Sequence, residues 1–173
     1  WEGIYDLSGI EDFTALTNLH CYGNQLTSLD VSQNTALEYL GCTRNQLTSL
    51  DLSQNFNLVQ ILCSENELSI LDINNLSNLL YLELGDNPII NLNAANCNSL
   101  VNLEIGSNSL TSLVISGCSN LKRLNCPNNQ LTSLDLTGCI LLEELYVQNC
   151  NLESLDVSSN SDLPSLDVDS NTK

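Results

Sequence analysis

Residues 16–36 read Leu16-Thr17-Asn18-Leu19-His20-Cys21-Tyr22-Gly23-Asn24-Gln25-Leu26-Thr27-Ser28-Leu29-Asp30-Val31-Ser32-Gln33-Asn34-Thr35-Ala36, and Leu37 starts the arrangement again. The opening leucine recurs as Leu58, Leu79, Leu100, Leu121, Leu142 and Leu163, each 21 residues after the last and without insertion. Three residues on stands a second apolar column: Leu19, Leu40, Ile61, Leu82, Leu103, Leu124, Leu145 and Leu166. Two further on come Cys21, Cys42, Cys63, Leu84, Ile105, Cys126, Val147 and Val168. The same phase then reaches Asn24, Asn45, Asn66, Asn87, Asn108, Asn129, Cys150 and Asn171. A period of this length, held from end to end, marks a stack of coils in which each coil hides its apolar residues only against its neighbours.

The pattern LxxLxLxxN is that of leucine-rich repeats. The second half of each unit repeats it, since Leu26 to Asn34 is another such run, and position 34 returns as Asn55, Leu76, Cys97, Cys118, Cys139 and Asn160. Two nested motifs of this kind resemble the short bacterial leucine-rich repeats called the IRREKO class. Arrays of that class occur in secreted or surface-attached bacterial proteins, and Ile4 to Phe13 looks like their usual lead-in. The resemblance covers residues 4–171 and implies an extracellular or bacterial cell-surface location. It also implies that ligands bind on the outward face of the repeat strands.

The expected architecture is a right-handed, helix-poor leucine-rich repeat solenoid. Tripeptides such as Leu19-His20-Cys21 are short strands, with the flanking residues inward and the middle one outward. Stacked coils then form a parallel sheet on the first half-coil. The other half is too short for a helix with two loops, which leaves turns, short extended segments or 3₁₀ turns. The recurrent Asn turns inward to bond backbone groups at the bends. Residues 1–15 break the period and hold Trp1, Tyr5 and Phe13, an irregular lead-in that could cover the first coil. Residues 16–173 make about seven and a half repeats of a single domain, with an open last coil that invites end-to-end association.

The chain has 173 residues, 42% of them hydrophobic and only 14% charged. Its 21 Asp and Glu face four Lys and Arg, a net charge of −17. Such an acidic surface repels phosphate backbones and anionic membranes, which speaks against nucleic acid and against direct membrane adhesion. No apolar stretch is long enough to insert into a bilayer. Basic proteins and divalent cations remain attractive partners. The chain starts at Trp1 with neither a Met nor a secretory signal, the form of a mature or excised segment.

Eight cysteines first suggest disulfides. Yet Cys21, Cys42, Cys63 and Cys126 stand where other repeats have Leu, Ile or Val, and Cys97, Cys118, Cys139 and Cys150 stand where others mainly have Asn. They are expected to be buried, reduced and structural. A zinc site is the sharper alternative, but CxxC pairs are missing and the single His20 points away from Cys21.

The repeats align the chain against itself, and its outward first-half columns vary most. The mid-strand column runs His20, Gly41, Leu62, Glu83, Glu104, Asn125, Tyr146, Asp167, flanked by Tyr39, Tyr81, Lys122, Arg123, Glu143 and Glu144 before it and by Tyr22, Arg44, Glu65, Asp86 and Gln148 after it. The candidate ligand face is His20, Tyr22, Tyr39, Arg44, Tyr81, Glu83, Glu104 and Tyr146, with the tyrosines as anchors that add contact area at low entropic cost. It suits a protein or glycan ligand; an unconstrained solvent face is the plainer reading.

On the other half-coil, Asp30, Asp51, Asp72, Asn93, Val114, Asp135 and Asp156 form an acidic column. Hydrogen bonds from nearby hydroxyls and amides explain it more simply than calcium, because the Gly-rich Asp pattern of calcium-binding solenoids is missing. A partial Thr column, Thr27, Thr48, Thr111 and Thr132, is interrupted by Ser69 and Ile90, which disfavours ice binding. No cofactor or metal is expected, and no catalytic constellation stands out: one His, no Gly-rich phosphate loop, no His-Glu metal motif. The function expected is a non-catalytic binding or adhesion module, with a structural spacer as the alternative.

Overall fold

A computed structural model describes residues 3–74, 76–95 and 97–171. The fold is a parallel β-solenoid of about seven turns, nearly free of helix. One strand comes from the first half of each coil: β1 (Asn18–His20), β2 (Tyr39–Gly41), β3 (Gln60–Leu62), β4 (Tyr81–Glu83), β6 (Asn102–Glu104), β8 (Arg123–Asn125), β9 (Glu144–Tyr146) and β10 (Ser165–Asp167). These pair in parallel in that order, in the register of the repeat, so that Leu19 lies beside Leu40 and Leu40 beside Ile61. The second half-coil is mostly turn. In two central coils it forms a second small sheet, β5 (Asn91–Asn93) with β7 (Ser112–Val114).

The Leu columns and the Cys21 column are buried through the interior coils and open only at the ends, at Leu16, Leu155, Leu163, Leu166 and Val168, while outward residues such as His20 are exposed. The lead-in closes the first coil as one coil closes the next. Leu7 and Ile10 pack on the core, and the Asn34 side chain donates to the Ile10 and Phe13 carbonyls at 2.8 and 3.0 Å. Tyr5 and Phe13 themselves stay exposed, as does Ile4, and only Leu7 and Ile10 of the lead-in reach the core. Trp1 lies outside the described residues.

Two ladders bind the coils together, and they differ in chemistry. In the first, Asn45 donates to the Cys21 and Cys42 carbonyls at 3.0 and 2.8 Å, while its Oδ1 accepts the Leu26 amide at 3.0 Å. Asn66, Asn87, Asn108 and Asn129 repeat this double engagement. In the second, Asn55 donates to the Val31 and Asn34 carbonyls, both at 3.0 Å, but its buried Oδ1 has no partner, and neither has that of Asn34 or Asn160. That position needs only a donor. A thiol can supply it: Cys97 and Cys118 donate to the Ile73 and Ala94 carbonyls at 3.4 and 3.2 Å, and Cys139 lies 3.8 Å from the carbonyl of Ile115.

The residue before each first-ladder position is left-handed, including the one filled by Cys150. Arg44, Glu65, Asp86, Ser107, Asn128, Asn149 and Ser170 all have φ between 52 and 59°, and Gly23 stands at 68°. The tight bend into the ladder requires this conformation, which costs a side-chain-bearing residue about 1 kcal/mol or more.

Urea unfolding of single variants should expose both constraints. Asn66→Cys removes a used acceptor and is expected to cost about 1–3 kcal/mol, whereas Asn55→Cys removes an unused one and should cost roughly 1 kcal/mol or less. Equal losses would show that the two ladders do the same work. Ser107→Gly is expected to stabilise by about 1 kcal/mol and Ser107→Val to destabilise; if the valine variant were as stable as the glycine one, the bend would not be strained.

Candidate functional site

The first-half strands present side chains at a spacing of about 4.8 Å from coil to coil. Three chemically distinct zones follow one another along this face.

At the first coils lies an aromatic group. The His20 and Tyr39 rings are 4.4 Å apart between centroids and tilted by 36°, and Tyr22 meets His20 edge-on at 6.0 Å. Gly41 is what lets Tyr39 lie down on the sheet: a Cβ at that position would stand 2.9 Å from the tyrosine hydroxyl oxygen. Tyr22 is 61% exposed.

The central zone is acidic. Glu83 is half-buried and accepts from Ser64 Oγ at 2.9 Å and, at 3.4 Å, from the Tyr81 hydroxyl. A shallow depression of about 300 Å³ runs beside it, walled by Glu65, Glu83, Asp86 and Glu104 and floored by Gly85 and Gly106. Burial, and then the charges of Glu83 and Glu104, push the Tyr81 phenol up to about 12. Tyr39 is raised by burial and by Tyr22 and Glu83. Both phenols therefore stay protonated donors at neutral pH.

The last zone is a locked network. Arg123 Nε donates to Glu104 at 3.0 Å, its Nη1 pairs with Glu144, and its guanidinium lies 5.0 Å above the Tyr146 ring. Asn125 donates to Glu104 at 2.7 Å, and the Tyr146 hydroxyl reaches Glu144 and Ser165, both at 3.2 Å. Partial burial works against the Arg123 charge, but Glu104 and Glu144 outweigh it and hold the guanidinium above its ordinary value. At the rim, Arg44 pairs with Glu65 at 2.8 Å and Lys122 with Glu143 at 2.7 Å.

Of the eight expected residues, His20, Tyr22 and Tyr39 fall together, Tyr81 joins Glu83, and Glu104 joins Tyr146 through Arg123. Arg44 sits apart on the strained turn with Glu65. The organising residues outside that set are Arg123, Glu144 and Ser64. Arg123 was legible in principle, as the one cation in the column Asn18, Tyr39, Gln60, Tyr81, Asn102, Arg123, Glu144, Ser165.

On the back of the solenoid, the acidic column is engaged with its own backbone. Asp30, Asp51, Asp72, Asn93, Asp135 and Asp156 each accept the amide two residues on, at 2.8–3.0 Å. The Ser32 and Ser53 amides, then their hydroxyls, hold Asp30 and Asp51 below the usual carboxylate range. The hydroxyls and then the amides of Thr137 and Ser158 do so for Asp135 and Asp156. Among the described residues, no group of three or more His, Cys, Asp or Glu could hold a metal ion. Val114 replaces the turn by strand pairing, its carbonyl accepting the Ala94 amide at 2.8 Å.

No protein-family model matches the chain, and no curated protein does. Among solved structures, the functional domain of InlJ from Listeria monocytogenes, which includes a cysteine ladder, superposes with a TM-score of 0.94 at 36% identity over 97% of this chain. A leucine-rich repeat protein of Leptospira interrogans, LIC12759, gives 0.88 at 26% identity over 96%. The chain spans 38% of the first and 46% of the second. TLR13, solved in complex with ssRNA13, shares the fold at a TM-score of 0.76 and 24% identity over 91% of this chain and 26% of its own. The structural neighbours are thus leucine-rich repeat proteins, bacterial ones among them, and the fold alone does not exclude nucleic acid.

The Asp turns carry a pH signature. A carboxyl held below its unfolded value contributes stability that is complete above about pH 4 and lost as pH falls through the lower folded value. Replacing Asp30, Asp51, Asp135 and Asp156 by Asn keeps the turn, as Asn93 shows, but removes the titration. Melting followed from pH 5 downward should therefore fall less steeply in this variant than in the parent; parallel curves would mean the turns contribute nothing through charge.

Proposed function

We propose that the chain is a non-catalytic binding module that takes a protein segment bearing a Lys or Arg side chain on its strand face, between Tyr39 and Tyr146. One observation carries this reading. Among the described residues, Glu65, Glu104, Glu143 and Glu144 each have a basic partner within the chain, but half-buried Glu83 has only hydroxyl donors. A partly desolvated carboxylate without a counter-charge favours an incoming cation. Arg123 shows how the face receives one, between carboxylates of the coils on either side and against an aromatic ring. Tyr39 and Tyr81 supply rigid contact area beside it.

Charge is also the ground for placing nucleic acid outside the ligand range, since −17 opposes a phosphate chain. An extracellular or bacterial cell-surface location fits the likeness to InlJ and LIC12759. No described helix is long and apolar enough to cross a membrane. The second sheet, β5 with β7, supports the nested reading of the repeat, because the back half-coil can itself pair as strands.

A panel of extracellular proteins and a glycan array, probed with the parent chain and with Glu83→Gln and Tyr39→Ser/Tyr81→Ser variants, tests the assignment. Hits are expected among basic proteins, weakened roughly tenfold by either variant and by added salt, with folding unchanged. Hits on neutral glycans that ignore Glu83→Gln but vanish with the tyrosines would move the ligand class to carbohydrate. Absence of hits among basic proteins would overturn the assignment.

A further inference from the structure

The eight cysteines fall into two chemically different sets. Cys97, Cys118 and Cys150 turn their thiols to carbonyl oxygens of Ile73, Ala94 and Cys126 at 3.2–3.4 Å, and Cys139 faces that of Ile115 more loosely. Their sulfurs are engaged with the backbone of the preceding coil, in the work Asn does elsewhere. The strand-column cysteines have apolar surroundings instead, and two of them face each other. Cys42 Sγ and Cys63 Sγ stand 2.6 Å apart in the buried core, one coil above the other. That is closer than two unbonded sulfurs rest comfortably, and it lies between free contact and the bond length of about 2.05 Å.

The backbone places them there without distortion of the stack. Cys42 and Cys63 each follow a paired strand, β2 and β3, and their amides donate to the Leu62 and Glu83 carbonyls of the next coil, both at 2.8 Å. Parallel neighbours at about 4.8 Å fall inside the Cα separation of about 4.4–6.8 Å that a disulfide accepts. Side chains on equivalent positions of stacked coils leave the backbone in parallel, which ordinarily keeps two thiols from meeting. Here they do meet.

We infer that Cys42 and Cys63 are a disulfide-forming pair, a covalent staple between the second and third coils, while the other six cysteines remain thiols. The reaction needs a two-electron acceptor, and a small-molecule disulfide suffices. One thiol, as thiolate, attacks the reagent and expels one thiol product. The second then displaces the other reagent half, so that two S–H bonds are lost, one S–S bond forms, and the reagent leaves as two thiols. Both sulfurs are fully buried, and burial pushes the Cys63 thiol up. Exchange is therefore slow in the closed solenoid in either direction. The bond is expected to form while coils are still opening and then to be sheltered from reductant.

Two samples test this: the folded chain treated with the small diazene oxidant diamide, and the chain refolded in a mixture of reduced and oxidised glutathione. Peptide mapping after unfolding with a thiol-blocking reagent should find Cys42 linked to Cys63 in at least one of them. Six blocked thiols should remain, and the melting temperature should rise by several degrees and fall back with reductant. A Cys63→Val variant, which places at that position a residue Val147 shows to be tolerated there, should show neither the link nor the reductant response. Eight blocked thiols in both samples would overturn the assignment, and so would a link between Cys21 and Cys42. If the chain fails to refold, the folded sample alone decides, since its eight thiols are counted either way.

Discussion

Every coil is closed by one side chain doing the work of backbone. At every strand segment but the one that ends in Cys150, an Asn donates to carbonyls of its own coil and the one before, and accepts an amide of the coil before. Without it, several peptide groups would be buried unpaired at each turn, at about 1–3 kcal/mol apiece. To reach that position the chain accepts a left-handed residue immediately before it, seven times without glycine. The bend explains why Arg44, Glu65 and Asp86 project where they do: they sit on a conformation imposed by the ladder rather than chosen for them. The candidate face inherits its rim from a structural necessity.

The second ladder is looser because its acceptor half is idle. Leu76 occupies it without any polar function, and three cysteines occupy it with a weak donor. Where both halves of the amide are used, the sequence departs from Asn once, at Cys150. Substitution frequency within this one chain therefore follows hydrogen-bond demand.

The period, the inward columns and the ladders could be read from residues 16–171 because each rests on identity repeated at fixed spacing. What escaped reading depends on single events. The lead-in breaks phase, so nothing in the repeat predicted that Leu7 and Ile10 rather than Tyr5 or Phe13 would face the core. Tyr39 lies flat because Gly41 happens to follow two residues later, and Arg123 becomes a hub because Glu104 and Glu144 occupy the coils on either side. The β5–β7 pair arises where the Asp turn gives way to Val114. Such contacts join columns that vary independently, and a column read alone does not contain them.

The two faces resolve the same excess of acid in different ways. On the back, each Asp turns to the amide two residues along, so its charge is met locally and stacked carboxylates need no counter-ion. On the strand face Asp167 takes the same route, accepting the Asp169 amide at 3.0 Å, whereas Glu83, Glu104 and Glu144 are met by side-chain hydroxyls, an amide or a guanidinium. The described cations, Arg44, Lys122 and Arg123, all answer carboxylates at the front. A solenoid can leave one place unanswered, since each coil interacts only with its neighbours and a local deficit does not spread through the stack. Glu83 is that place, held by the Ser64 and Tyr81 hydroxyls and open to a charge from outside.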